Sequence, residues 1–269
     1  MRAPRTNYAH SVTQIGLIGA GNMARALARG WGEPLLCSDG GSGRAREIVA
    51  EVGGEAITSV EVARRSDIVV LCHKPYQLGV VAAEIGMTHT PVVSVLGATP
   101  TATLHAAYPH ASVFAVMPNT AVEIRRGVTV YAEADRDPGA VADPEVERQV
   151  LELFGRLGVV IAVPERLMGA ATSVSGVGPA YQALLAEAQI DAAVRHGIPA
   201  PIAARLVVET VAGSAALLEH HGYDTLRVRR DVTSPGGSTA RGLAALERAG
   251  IRDAFQCAID AVTTPPAPR

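Results

Sequence analysis

The sequence predicts an α/β fold in two parts, a helix-wrapped sheet over residues 13–163 and an all-α part over residues 164–263. Three observations lead there. Short apolar runs alternate with helical patterns through the first part, which is how β-α-β units read. The first of those runs passes directly into a glycine turn, G-A-G-N-M-A. After Pro164 the strands give way to long alanine-rich stretches of helical periodicity.

Taken in order, residues 1–12 carry Arg2 and Arg5 but no apolar stretch, and read as a loose arm with no signal peptide. From residue 13 the chain reads T-Q-I-G-L-I-G-A-G-N-M-A-R-A-L-A-R-G: a strand, a turn, a helix. Gly19, Gly21 and Ala24 fill the G-x-G-x-x-G/A pattern in that context, with Asn22 and Met23 at the helix start. The first glycine makes the turn, the second lets backbone approach a pyrophosphate, and the small third residue lets helix and strand pack closely. This identifies a Rossmann-like dinucleotide-binding domain. Strands then follow at 35–38, 68–72, 92–95 and 112–116, with helices at 44–52, 76–85 and 101–107. Further strands at 128–131 and 159–163 flank a helix near 144–157. The alternation predicts a parallel sheet covered on both faces.

Ligands of such sheets bind at the carboxyl ends of the strands. Those ends carry the glycine turn, Ser38-Asp39, Lys74-Pro75, residues 94–97 and Met117-Pro118-Asn119-Thr120. Asp39 falls where an acid would bind the ribose hydroxyls of NAD, whereas Ser38, Ser42 and Arg44 suit a 2′-phosphate. The loop leaves NADP and NAD both open.

Beyond Pro164, residues 165–175 read as helical, Gly176-Val177-Gly178-Pro179 punctuates, and long helices follow at 179–196 and 201–221. In the second, Ile202, Ala203, Leu206, Val207, Val211, Ala212, Ala215, Leu217 and Leu218 wrap most of the circumference. A helix apolar all round must be buried, and about 100 residues have little interior to offer. A second subunit is the expected cover. The stretch D-V-T-S-P-G-G-S-T-A-R-G-L-A-A-L-E, residues 231–247, packs a proline, two glycines and four hydroxyls before a helix. Ser238 or Thr239 is its expected N-cap, and its free N–H groups suit a small anion such as a carboxylate. Residues 263–269, rich in proline, read as a frayed tail.

Bulk properties narrow the chemistry. The 269 residues carry a net charge of −2, which gives no reason to expect nucleic acid or an anionic membrane as partner. Cys37, Cys72 and Cys257 show no metal or redox spacing, and no unbroken apolar run reaches membrane-spanning length. A cytoplasmic location is expected. Lys74 is the only lysine, so hydroxyacid dehydrogenation by a lysine in the helical part is excluded. No H-E-x-x-H, G-x-S-x-G or cysteine cluster appears, and no metal site is expected. What remains is a nucleotide domain and an anion loop with no strong acid or base. Reduction of a cyclic imine fits, because a protonated imine is already electrophilic and needs chiefly positioning and a hydrogen bond to nitrogen. A hydroxyl such as that of Thr239 suffices for that bond.

The chain resembles the pyrroline-5-carboxylate reductase family. I-G-L-I-G-A-G-N-M-A, K-P, M-P-N-T, S-G-V-G-P-A-Y and V-T-S-P-G-G-S-T-A-R-G-L-A-A-L-E occur in the family's order across residues 13–260. The resemblance implies reduction of 1-pyrroline-5-carboxylate to proline, the last step of proline biosynthesis. It implies NADPH, less often NADH, as donor, and a helical domain that interlocks with a second subunit as a homodimer or larger assembly. It places Ser234, Gly236, Gly237, Ser238 and Thr239 in the substrate-carboxylate loop, with Thr239 as the catalytic hydrogen-bonding group. Pro179 falls on the substrate wall, and Lys74, Pro75, Met117, Asn119 and Thr120 fall on cofactor-side loops. The chain departs from the family at Val177, Ala115 and Ala121, which replace a serine, an arginine and a proline, and at Gly97-Ala98, an inverted pair. These departures keep two alternatives in view, reduction of another cyclic imino acid in a specialised pathway and a non-catalytic dinucleotide-binding regulatory protein.

Overall fold

A computed structural model describes residues 13–133 and 143–263. The expected arm over residues 1–12 lies outside them, as does the expected tail from residue 264 onward. Thr263, its first residue, ends a helix. By its contacts the chain divides into two compact units after Gly176.

The first unit holds an eight-stranded sheet. In chain order its elements are β1 (Ile15–Ile18), α1 (Asn22–Trp31), β2 (Leu35–Ser38), α2 (Arg44–Val52), β3 (Gly54–Ala56), α3 (Ser59–Arg65) and β4 (Ile68–Leu71). Then come α4 (Leu78–Ile85), β5 (Val92–Ser94), α5 (Thr101–Ala107), β6 (Val113–Pro118), β7 (Gly127–Glu133), α6 (Pro144–Gly155), β8 (Gly158–Pro164) and α7 (Met168–Ser175). A 3-10 turn, Pro75–Gln77, opens what reads in the sequence as one helix with α4. Strand order is β3-β2-β1-β4-β5-β6-β7-β8. The chain runs outward through β2 and β3 and then returns to the other side of β1. The point where the order reverses is where a ligand crevice belongs.

The sheet is not wholly parallel, which corrects the sequence expectation. β7 runs antiparallel to β6, and β8 is parallel to β7. Residues 119–126 are too few for a crossover, which needs roughly a dozen, so a 3-10 turn (Thr120–Ile124) reverses the chain. Arg125 ends that turn at φ 58, and its guanidinium donates to the carbonyls of Gly30 and Trp31 at 2.7 and 3.3 Å, closing α1. β3 and α3 escape the sequence reading. β3 is a three-residue edge with all residues exposed. α3 had a signal, the Thr58-to-Glu61 capping box, in which each side chain bonds the other's backbone N–H.

Both faces of the sheet are covered. On one, Trp31, Phe154 and Leu157 pack over β1 and β4, with Trp31 Nε1 donating to the Leu153 carbonyl at 3.0 Å. On the other, Val62, Leu78, Leu104 and Tyr108 close over Ile18, Val69 and Leu71. A Cβ at Gly16 would meet Ser66 Oγ at 2.1 Å, so that glycine is what lets α3 lie against β1. α7 packs on β7 and belongs to the first unit, although its residues follow Pro164.

The second unit is helical: α8 (Gly178–Arg195), α9 (Ala200–His220), α10 (Thr225–Asp231), α11 (Ser238–Arg248) and α12 (Ile251–Thr263). α10 and α12 go beyond the sequence reading. Ala203 is the unit's one buried apolar residue among those described. Leu184, Ile202, Leu206, Val208, Leu226, Leu246 and Phe255 are all exposed in the single chain. α9 is long and apolar enough by composition to cross a membrane. It also carries Arg205 and Glu209 mid-helix.

Candidate active site

Strand register builds the crevice in the first unit. Ile18 pairs with Ser38 and Leu71, and Leu71 with Ser94, so β1, β2, β4 and β5 end level and release their loops along one edge. The resulting crevice of about 610 Å³ is lined by Gly19, Gly21, Asn22, Met23, Ser38, Asp39, Arg44, Lys74, Pro75 and Gly97 among others. Gly19 sits at φ 103, and a Cβ there would lie 2.4 Å from the backbone nitrogen of His73. A Cβ at Gly21 would meet nothing nearer than 4.0 Å, so this glycine leaves open space where a pyrophosphate needs it. Gly21 is also the N-cap of α1, in extended geometry (φ −78, ψ −174) and with no side chain to occupy the helix's first N–H groups. Those residues fit a dinucleotide.

Four of the five expected loops meet at this crevice. The fifth does not line it. Asn119 is 7 % exposed, its Nδ2 donates to the Ser175 carbonyl at 3.1 Å, and its Oδ1 accepts from Val128 N at 3.2 Å. Its amide therefore links α7 and β7. Thr120 is exposed at the start of the 3-10 turn. Met117 comes nearest, its Cε 4.0 Å from where a Gly97 Cβ would be. Ala98, beside it, holds φ 54, a left-handed conformation in which L side chains are strained.

Burial disfavours the charged forms of Cys72 and His73 in the crevice and of Cys37, which lies outside its lining. Burial pushes the Cys37 thiol up to about 12, helped by the nearby Asp39 charge, and burial pushes Cys72 further in the same direction. His73 is lowered by burial, against the opposing effect of the Lys74 carbonyl. That carbonyl can only accept, so His73 Nδ1 carries the hydrogen at 2.9 Å from it. At Asp39, burial acts upward, but donors from Ala45, Ser42, Gly41 and Arg44 outweigh it and the net shift is downward. Among the described residues no cluster of His, Cys, Asp or Glu can hold a metal.

The second unit repeats the glycine-capped helix start. The N-cap of α11 is Gly237 (φ −69, ψ 176), again without a side-chain cap, and the helix begins at Ser238. Ser238 and Thr239 are thus the first two helical residues, not caps, which corrects the sequence expectation. A Cβ at Gly237 would stand 2.5 Å from Ser234 Oγ and 3.1 Å from its carbonyl oxygen. Gly237 N donates to the Ser234 carbonyl at 3.1 Å, Gly236 turns at φ 68, and Arg241 Nη1 donates to the Gly236 carbonyl at 2.9 Å. The loop is a closed turn pinned by its own helix. Thr239 is half-buried, and its hydroxyl has no partner among the described residues. By contrast, α3, α6 and α10 are capped by Thr58, Asp143 and Asp224. Pro179, half-buried, lies in the first turn of α8, whose N-cap is Val177.

Comparison with known proteins bears on both units. A family described as pyrroline-5-carboxylate reductase dimerisation matches residues 165–265, and one described as NADP oxidoreductase, coenzyme F420-dependent, matches residues 14–97. The chain is 33 % identical over 252 residues to the pyrroline-5-carboxylate reductase of a Synechocystis species, covering 90 % of this chain and 92 % of that one. It is 34 % identical over 258 residues to that of Methanosarcina acetivorans, covering 91 % and 94 %. Among solved structures, the Plasmodium falciparum pyrroline carboxylate reductase with NADP bound matches at a TM-score of 0.81 and 26 % identity, over 93 % of this chain and 95 % of that one.

Proposed function

The chain belongs to the pyrroline-5-carboxylate reductase family, and on that premise we propose that it reduces 1-pyrroline-5-carboxylate to L-proline with NADPH. The observation that carries the reading is the loop at residues 234–239, intact in sequence and folded as a closed turn that leaves the α11 N–H groups and the Thr239 hydroxyl without side-chain partners. The substrate carboxylate is held by those N–H groups, with Ser234, Gly236, Gly237 and Ser238 shaping the turn. Thr239 Oγ1 accepts the N–H of the protonated ring nitrogen and orients the C=N bond. Pro179 supplies an apolar wall.

On the cofactor side, the bare N-terminus of α1 binds the pyrophosphate, with Asn22 and Met23 beside it and Lys74-Pro75 bordering the crevice. The bound dinucleotide supplies a hydride to the imine carbon; the nitrogen keeps its proton and becomes the amine of proline. No general base is required, in keeping with a crevice where burial favours the uncharged forms of Cys72 and His73. Residues 13–163 serve as the dinucleotide domain and residues 164–263 as the dimerisation and substrate domain. The protein works as a homodimer or a larger homo-oligomer in the cytoplasm. The test is NADPH oxidation by the purified protein with 1-pyrroline-5-carboxylate and with six-membered and uncharged cyclic imines, the product identified by chromatography. Proline as product, with the five-membered carboxylate preferred, supports the reading; turnover only with other imines, or binding without turnover, overturns it.

A further inference from the structure

Asp39 follows β2 at the place where Rossmann-like sheets carry the acid that binds the ribose hydroxyls of an unphosphorylated dinucleotide. Its carboxylate is turned into its own loop instead. Oδ1 accepts from Gly41 N at 2.9 Å, and Oδ2 accepts from both Ser42 Oγ and Ala45 N at 2.9 Å. The loop between is otherwise thinly held. Gly41 and Gly43 stand at φ 90 and 79, and Cβ atoms built on Gly40, Gly41 or Gly43 would meet nothing within 4 Å. No packing dictates this conformation. The carboxylate ties Gly41, Ser42 and the first turn of α2 together.

The loop so formed presents a particular set of donors. Ser42's hydroxyl hydrogen is committed to Asp39, and Ser38 is buried against Ser59 with their hydroxyls 3.3 Å apart. Neither hydroxyl is left to donate to a phosphate. The backbone N–H groups of Gly40, Ser42 and Gly43 have no partner among the described residues. Gly40, Ser42 and Arg44 line the crevice. Free N–H groups clustered on a glycine-kinked turn, with one guanidinium beside them, recognise a phosphate dianion.

We propose that Asp39 is a positioning residue that folds the Gly40–Gly43 loop into a 2′-phosphate receptor made of backbone N–H groups and Arg44, and is not a ribose-hydroxyl ligand. This rests on NADP(H) being the cofactor. The test is direct binding of NADP+ and NAD+ by titration calorimetry to the full-length parent, Asp39→Ala and Ser42→Ala, with circular dichroism melts alongside. Asp39→Ala removes all three bonds and weakens NADP+ by about 10-fold or more, while NAD+ changes by less than about 2-fold. Ser42→Ala removes the bond to Asp39 and the 3.4 Å bond from Arg44 N, keeps the Gly41 and Ala45 bonds to Asp39, and gives the same selectivity at about 2- to 3-fold. Weakened NAD+ binding makes Asp39 the ribose ligand after all, tighter NADP+ binding makes it a repelling charge, and unchanged NADP+ binding frees the loop from it. Each overturns the proposal. Failure of the cofactor reading shows separately, in a parent protein that binds NAD+ as tightly as NADP+.

Discussion

The two units solve the burial problem differently. The first covers both faces of its sheet with its own helices and hides Trp31, Phe114, Phe154 and Tyr108 almost completely. The second has comparable apolar content, yet α8, α10, α11 and α12 contain no buried residue and α9 contains one. A helix such as α9, with Ile202, Leu206, Val208, Val211 and Leu217 exposed around it, has no stable place in water alone. The match of residues 165–265 to a dimerisation family accords with homo-oligomerisation, which would cover that helix. One unit is a closed fold and the other is half of one.

Substitutions can break that contrast. The largest effect is expected for Leu206→Asp on α9. If a second copy covers this residue, an unpaired charge is buried and the assembly loses at least about 3 kcal/mol, visible as dissociation and early melting. A change within about 0.5 kcal/mol marks a solvent-facing site instead. Within the first unit, Gly19→Ala meets strained φ and backbone at 2.4 Å, and should destabilise by roughly 3 kcal/mol in urea titration. Gly237→Ala makes the informative counterpart, because its closest clash is with a rotatable serine hydroxyl, with the Ser234 carbonyl next at 3.1 Å, at ordinary φ. It should lower kcat/KM while leaving stability within about 1 kcal/mol.

Those two glycines also show what the sequence made legible. G-x-G-x-x-A between an apolar run and a helix is readable because the turn, the close approach and the helix start each demand a residue type. The residue 231–247 loop is readable as an anion site for the same reason. The cap itself is not: choosing Ser238 or Thr239 follows cap preference, whereas Gly237 holds the position, and its close approach to Ser234 is a contact the sequence does not display. Asn119 makes a second contact of that kind. Its M-P-N-T context marks a cofactor loop, while its amide is engaged with α7 and β7 across 56 and 9 residues. The antiparallel β7 was hidden by the alternation pattern, although the short link before it carried the signal.

Smaller effects sharpen the site. Thr239→Ala should lower kcat/KM by roughly 1–3 kcal/mol with the melting temperature unchanged, and Thr239→Ser should recover most of it. Unchanged kinetics would remove the hydroxyl from the mechanism. Ala98→Gly relieves a left-handed alanine beside the crevice and should stabilise by about 1 kcal/mol in urea. The smallest effect concerns pH. Asp39's folded pKa is lowered, so its contribution is present above its unfolded value, near about 3.9, and lost as pH falls through the folded value. The melting-temperature gap between the parent and Asp39→Asn should therefore be constant from pH 7 to about 5 and close below about pH 4. A gap that persists in acid assigns the effect to something other than the carboxylate.

The contrast between the closed unit and the open one is tested most directly by multi-angle light scattering on the purified protein across serial dilution, with circular dichroism on the same samples. Homo-oligomer at every concentration at which helicity persists, and loss of helicity wherever mass falls to that of one chain, is the expected result. A monomer that keeps its full helical signal would contradict it.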